Sequence, residues 1–432
     1  MFDNPYIIIL ALSILVILSY LYIGIAAKTK VPSVLLLLFT GIIARIAFDY
    51  FGYPVPEMNL ALQILGIVGV ILIVLEGALD LEIARDKLGL IIKAFFSALI
   101  ILIVSALTMA YGIQLVYPQF SFQLTLVNAI PIAVISSAIA IPSVGHFTEE
   151  KREFIIYESI FSDILGIVFF NMAVTNDKFT MHTLSWFAID FSVVIVFSII
   201  FSILMIMFIN KTSMNIKFFL TISLLIFLYA SGKLIHFSSL LMILFFGIIL
   251  NNIEHIHITA LQKLVQKEKL FNSLNQFRMI TNETAFVIRT FFFFIFGFTL
   301  KISILFDAKL LLTGVVILII LYGLRYLFLR FVVRREIFPE LFVAPRGLIT
   351  ILLFYAIPPE FDLGFINEGL LFFVILASSI IMMIALMKDS RGFQGDIIFR
   401  YDLFGQSLSI NKKNEGEQRD VNTEDHETIA GQ

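Results

Sequence analysis

The sequence predicts an all-α, polytopic membrane protein, and three observations carry that expectation. Of 432 residues, 59% are hydrophobic and only 14% charged, with a mean hydropathy of +0.99, far more apolar than an ordinary soluble domain. Apolar runs of about 20 residues, the length that crosses a bilayer as a helix, recur along most of the chain. The polar connections between them alternate between rich and poor in Lys and Arg, as loops on two sides of a membrane do. The formal charge of −2 and the lack of a basic cluster interleaved with aromatics give no reason to expect a nucleic-acid partner. Zero cysteines exclude disulfides, thiolate metal sites and cysteine nucleophiles.

Taken in order, the predicted spans cover 6–26, 31–50, 60–80, 88–115, 122–145, 152–175, 184–209, 216–232, 236–251, 278–300, 308–332, 340–357 and 365–387. The opening MFDNPYIIIL has no basic n-region or small-residue cleavage site, so the first run is expected to remain a span. Thirteen is odd, which places the termini on opposite sides. One set of loops holds Lys28 and Lys30, Arg85 and Lys87, Lys151 and Arg152, Lys211 and Lys217, Lys263 to Lys269, Arg334 and Arg335, and Lys388 and Arg391. The other holds Lys178, Lys233, Lys301 and Lys309. The N-terminus is therefore expected outside and the C-terminus in the cytoplasm, in a multi-pass protein of the plasma (inner) membrane surrounded by lipid.

Between the ninth and tenth spans, HITALQKLVQKEKLFNSLNQF sets Ile258, Leu261, Val265 and Leu274 at helical spacing among Lys and Gln. It reads as an amphipathic helix on the cytoplasmic surface, linking two halves of the fold. Residues 1–390 thus form the transmembrane domain. Residues 391–432 are polar, with too few large apolar residues for a core, and are expected to be a disordered cytoplasmic tail. That tail is too short for a nucleotide-binding domain, and no GxGxxG follows a strand-like segment, so no nucleotide partner is expected.

Polar groups at membrane depth are costly, which makes them informative. The sixth span, in YESIFSDILGIVFFN, carries Glu158, Ser159, Ser162 and Asp163 on neighbouring positions of one helix face, a set of oxygens suited to a cation or a proton. The plainer reading of the serines is a bond back to a carbonyl one turn earlier. Glu76, in ILIVLEGALDLEIARDK, lies deeper than Asp80 and Glu82 and is too short to snorkel, so it needs a buried partner or a proton. In the fifth span Pro131 and Pro142 flank Ser136 and Ser137; Pro142 frees the carbonyl of Ala138, predicting a helix break there. The twelfth span repeats an interruption at Pro345, Arg346 and Gly347.

Free backbone groups in a membrane are tolerated only inside protein or beside a cavity, and broken helices of this kind coordinate cations. The two interrupted spans are seven apart, as in two copies of opposite orientation, the arrangement of an inverted-repeat transporter. Arg289, Arg325 and Arg346 complete the inventory, with Glu283 nearby. Each buried guanidinium needs a carboxylate or carbonyls, and Glu158, Glu283 and Asp163 are the expected partners.

These residues resemble the monovalent cation:proton antiporters, within them the NhaP-like sodium/proton exchangers. VPSVLLLLFTGIIARI is similar to the family's second helix, LEGALDL to its third-helix motif, ESIFSD to its sixth-helix signature, and RTFFFFIFG and PRGLITILLFYAIP to its later helices; the match runs from about residue 6 to 390. The resemblance implies thirteen helices in two inverted repeats, two crossing discontinuous helices, and a dimerisation domain beside a mobile core, hence a homodimer. It makes Asp163 the cation- and proton-binding aspartate, Ser159 and Glu76 further ligands, Glu158 and Arg346 an ion pair, and Arg325 the basic residue of the eleventh helix. Ser162 stands where the family has Asn, or Asp in electrogenic relatives, which implies one-for-one exchange. The fifth-helix Thr-Asp-Pro is matched to Ala140-Ile141-Pro142, without its Asp, a pattern similar to the potassium-efflux branch.

The implied function is antiport of a monovalent cation, sodium before lithium or potassium, against protons, with no cofactor. A potassium/proton antiporter is the near alternative. A sodium-coupled symporter for an organic solute would need a roomy polar cavity, and few Asn, Gln or aromatic hydroxyls flank the breaks. A membrane hydrolase would need a nucleophile or metal set, and neither GxSxG nor HExxH is present. A channel is separated from an exchanger by measuring the stoichiometry of counterflow.

Overall fold

The computed structural model describes residues 5–29, 31–53, 58–81, 87–145, 147–175, 192–193, 196–205, 207, 217–234, 239–252, 267–300, 307–333 and 337–388. All lie in one compact unit, Met1–Gly392. The amphipathic segment before residue 267, the loop charges from Glu82 to Asp86, and the tail fall outside the described residues.

Every described element is helical or a turn. In chain order the helices are α1 (Pro5–Thr29), α2 (Ser33–Tyr50), α3 (Asn59–Asp80), α4 (Leu88–Val116), α5 (Phe122–Ala133), α6 (Ser137–Ser143) and α7 (Glu149–Thr175). Then come the apolar segment α8 (Val196–Met205), α9 (Lys217–Leu234), α10 (Ser239–Asn251), α11 (Lys267–Thr299), α12 (Ala308–Phe328) with a π turn over Leu329–Val333, α13 (Leu348–Tyr355) and α14 (Glu368–Lys388). Each of the thirteen predicted spans contains a helix, the fifth as the pair α5 and α6. Among the described residues eight helical stretches are long and apolar enough to cross a membrane. The predicted boundary at residue 278 is corrected: α11 begins at Lys267 and runs unbroken through the second half of the expected linker helix.

Two groups of helices emerge from the packing. One joins α2, α3, α10 and α11, with α1 and α9 against them; the other joins α4, α5, α6, α7, α12, α13 and α14. Small residues set both. In α4, Ala94, Ser97, Ala98, Ser105, Ala106 and Ala110 are buried along one face, which lets α5 and α7 lie close. At the α2–α11 crossing, a side chain on Gly41 would strike the carbonyl of Phe294, and one on Gly297 the carbonyl of Leu38. Bare backbone there is what allows the contact.

Between the groups, α3 meets α7 and α13 through a glycine face. Gly77 lies under Ile160, where an added methyl would stand 3.4 Å from that side chain, and Gly66 and Gly69 lie under Leu352 and Leu348.

Candidate functional site

Span five leaves the helical path at Val134–Ile135–Ser136, with ψ of 132° at Val134 and 117° at Ser136. This corrects the expected break at Ala138–Pro142. Pro131 sits inside α5 and Pro142 inside α6, both within helix, and Ala138 belongs to the first turn of α6.

The reason lies in the partners of the freed backbone groups, which must be satisfied in a buried place. Ser162 Oγ accepts the N–H of Ile135 at 2.9 Å. Asp163 Oδ2 accepts the N–H of Ser137 at 3.0 Å and its hydroxyl at 2.5 Å. On the other side of the break Arg346 donates to the carbonyls of Ile132 (3.0 Å) and Ala133 (3.4 Å), a guanidinium set on the negative end of α5, and also to the carbonyl of Ala344 in its own segment. The break is thus built by three side chains from other elements.

Span twelve is helical only in its second part: turns over 338–342 lead into an extended stretch over 343–347, and α13 starts at Leu348 with Gly347 as its N-cap, so the expected interruption is a non-helical approach to one helix. The two interruptions cross. The N–H of Ser136 donates to Pro345 O at 2.8 Å, and a side chain on Gly347 would lie 2.5 Å from Ser136 Oγ and 2.9 Å from its Cβ. Glycine is required there by close approach rather than by a left-handed backbone. The N–H of Arg346 is in turn held by Ser378 Oγ of α14 at 3.0 Å.

Asp163 is 3% exposed, and its Oδ1, unlike Oδ2, has no hydrogen-bond partner; the hydroxyls of Ser136 and Thr350 are likewise buried and unpartnered. Buried polar atoms without partners are uncommon and call for a ligand, a water or an ion. Next along α7, Ile164, Ile167 and Val168 face Val74 of α3 and Leu240, Leu241 and Leu244 of α10 across a wholly apolar cleft.

The other predicted site residues are placed differently from expectation. Glu158 is bound by Arg325, not Arg346: Nη1 and Nη2 of Arg325 reach its two oxygens at 3.1 and 2.7 Å, and Ser97 Oγ donates to Oε1 at 2.6 Å. The same guanidinium donates to the carbonyl of Glu340 at 3.1 Å, anchoring the segment that leads into the second break. Arg346, having spent its donors on carbonyls, has no carboxylate in hand. Arg289 pairs with Glu76, Nη1 and Nη2 at 2.8 and 3.0 Å, rather than with Glu158, Glu283 or Asp163. Both oxygens of Glu76 are therefore engaged, and the expected cation ligand is held as an ion-pair partner in this conformation. Glu283 accepts from Tyr20 of α1 at 2.6 Å. Ser159 donates to the carbonyl of Ile156 at 3.1 Å, the plainer of its two readings, while its lone pairs stay available.

Sequence reasoning passed over Ser97 and Ser378, which hold Glu158 and Arg346, and named Ser137 beside Ser136 without joining it to Asp163. The adjacent Ser136-Ser137 in an otherwise apolar run was the signal available for Ser137.

The fold and this crossing set two interrupted membrane segments against one another beside a buried carboxylate. The sequence matches the family described as sodium/hydrogen exchanger, transmembrane, over residues 13–392, and the chain belongs to that family. Among solved structures it is similar to the sodium proton antiporter MjNhaP1 from Methanocaldococcus jannaschii at pH 8, with a TM-score of 0.63 and 19% identity over 88% of this chain and 95% of that one. An electron-microscopy map of the same antiporter gives a TM-score of 0.59 and 17% identity over 89% and 95%. A comparison with curated proteins gave no match. The chain is accordingly a multi-pass membrane protein of a cation/proton antiporter family, and its relatives are transporters rather than enzymes.

Proposed function

We propose that this protein exchanges sodium for protons, one for one, by alternating access, with Asp163 as the shared carrier. The observation that carries the reading is the state of the Asp163 carboxylate. One oxygen is fixed by Ser137 and the other is buried without a hydrogen-bond partner. A bare carboxylate at membrane depth is costly, and either a proton or a small cation at Oδ1 removes that cost. Competition for one group couples the two fluxes when only the neutralised states cross.

Single-charge exchange is supported by Ser162, whose hydroxyl is taken up by Ile135 and adds no charge beside Asp163. Alternating access is supported by the polar contacts named above, each of which closes within one helix group, while α3 offers the other group a glycine face. Ile141, in the Ala140-Ile141-Pro142 matched to the family's Thr-Asp-Pro, replaces that motif's Asp and keeps a potassium/proton antiporter as the second reading. The loop charges support an inner-membrane protein with its N-terminus outside, and the family resemblance supports a homodimer.

The test is cation-driven proton movement in everted vesicles or proteoliposomes, across sodium, lithium and potassium. Asp163→Asn is expected to abolish it at every pH. Full exchange by that variant would sink the proposal, and preference for potassium over sodium would turn it to the second reading.

A further inference from the structure

We infer that Glu340 is a positioning residue for transport: gripped by Lys151 and Arg325, it fixes the segment over 343–347 to α7 and so sets the crossing against Asp163; this rests on the exchange reading above. Glu340 stands in the turns that lead into that segment, yet it is only 8% exposed. A carboxylate so far from water needs a charge or donors beside it. Lys151 Nζ, from the start of α7, lies 3.2 Å from Glu340 Oε1. The backbone carbonyl of the same residue accepts from Arg325 Nη2 at 3.1 Å and from the N–H of Val343 at 3.2 Å.

These contacts close a ring. From Lys151 it passes to Glu340 and along the chain to Pro345, whose carbonyl takes the N–H of Ser136 at 2.8 Å, then through Ser137 to Asp163 Oδ2. About three turns of α7 lead from Asp163 back to Lys151. One helix therefore holds the first break through Ser162 and Asp163, and the approach to the second through Lys151. Together the two grips fix where the segment over 343–347 passes Asp163. The link nearest to water is the ion pair, with the Lys151 side chain 30% exposed against 10% for Glu340. A change at that pair reaches the buried carboxylate without touching it.

The experiment measures sodium-driven proton exchange by the full chain in proteoliposomes, with amide hydrogen exchange of the purified protein alongside. Lys151→Met and Glu340→Gln are each expected to raise the half-saturating sodium concentration about threefold or more while the maximal rate stays within about twofold, as loss of one partly buried ion pair requires. Hydrogen exchange should quicken over 343–347 and at Ser136. Lys151→Arg keeps the charge and is expected to retain the original values of both readouts. The double variant should be no worse than the weaker single one, since both remove the same link. Lys87→Met breaks a neighbouring pair, Lys87 Nζ to Glu153 Oε1 at 2.7 Å, that joins α7 to the start of α4 instead; it is expected to leave half-saturation unchanged. If Glu340→Gln does not assemble, Lys151→Met, at the more exposed end of the pair, decides the matter. Half-saturation unchanged in both variants, whatever the maximal rate, with exchange lost in Asp163→Asn, would overturn this inference alone. Exchange that survives Asp163→Asn would overturn the underlying reading, and this one with it.

Discussion

Two spans of this protein are broken, and they are broken by different means. In the twelfth, turns over 338–342 and an extended stretch over 343–347 stand in place of a first half-helix, with Pro345, which has no N–H to give a helix, just ahead of α13. In the fifth, Val134-Ile135-Ser136 contains nothing that forbids one, and two prolines nearby sit inside the flanking helices. That break exists because Ser162, Asp163 and Arg346 supply better partners for its N–H and C=O groups than a continued helix would. The first kind of break is permanent. The second is maintained by side chains, one of which is the residue assigned to carry the cargo, so ligand chemistry and backbone geometry meet in the same carboxylate.

That contrast is open to direct attack. The largest effect is expected from Arg346→Met, which strips the cap from Ile132, Ala133 and Ala344 together. With carbonyls left unpaired at about 1–3 kcal/mol each, the loss is on the order of 3 kcal/mol or more. It should be read as lowered thermal stability and faster amide hydrogen exchange over residues 134–138; unchanged exchange there would show the break to be self-supporting. Ser162→Ala removes one acceptor and leaves the Ile135 N–H orphaned, for about 1–3 kcal/mol, with faster hydrogen exchange concentrated at that amide. The smallest effect is expected from Pro142→Ala. Pro142 lies in the last turns of α6 and holds no part of the break, so its removal should shift stability by about 1 kcal/mol or less in either direction and leave the protection of residues 135–137 as it was. A large loss on that substitution would restore proline as the cause.

How much of this was legible in the sequence follows the same line. Spans were readable because twenty apolar residues have few fates other than crossing a bilayer, and the second break was readable because its cause is local. The first break was placed up to eight residues too late because its cause lies 26 and 27 residues away in α7, and more than 200 away at Arg346. Pairing of the buried charges failed for a related reason. Inventory alone says that Glu158 needs a cation, yet whether Arg325 or Arg346 reaches it depends on which way each guanidinium points after folding. Arg325, on a continuous helix, meets Glu158 end on; Arg346, on an interrupted one, is turned toward free carbonyls that no reading of the fifth span had located. The functional weight of Asp163 and Ser162 was visible as an oddity of composition, whereas their grip on another segment's backbone was not.

The bonds described here close on themselves. Tyr20 with Glu283, Arg289 with Glu76 and Arg278 with the carbonyl of Leu79 stay in one set of helices; Ser97, Glu158 and Arg325, and the whole circle around Arg346, stay in the other. Among the described residues the bonds named here thus lie on either side of a border that the two helix groups share through packing. The two groups are expected to loosen separately, with protection against hydrogen exchange falling in two steps along the chain, their boundary running down the glycine face of α3.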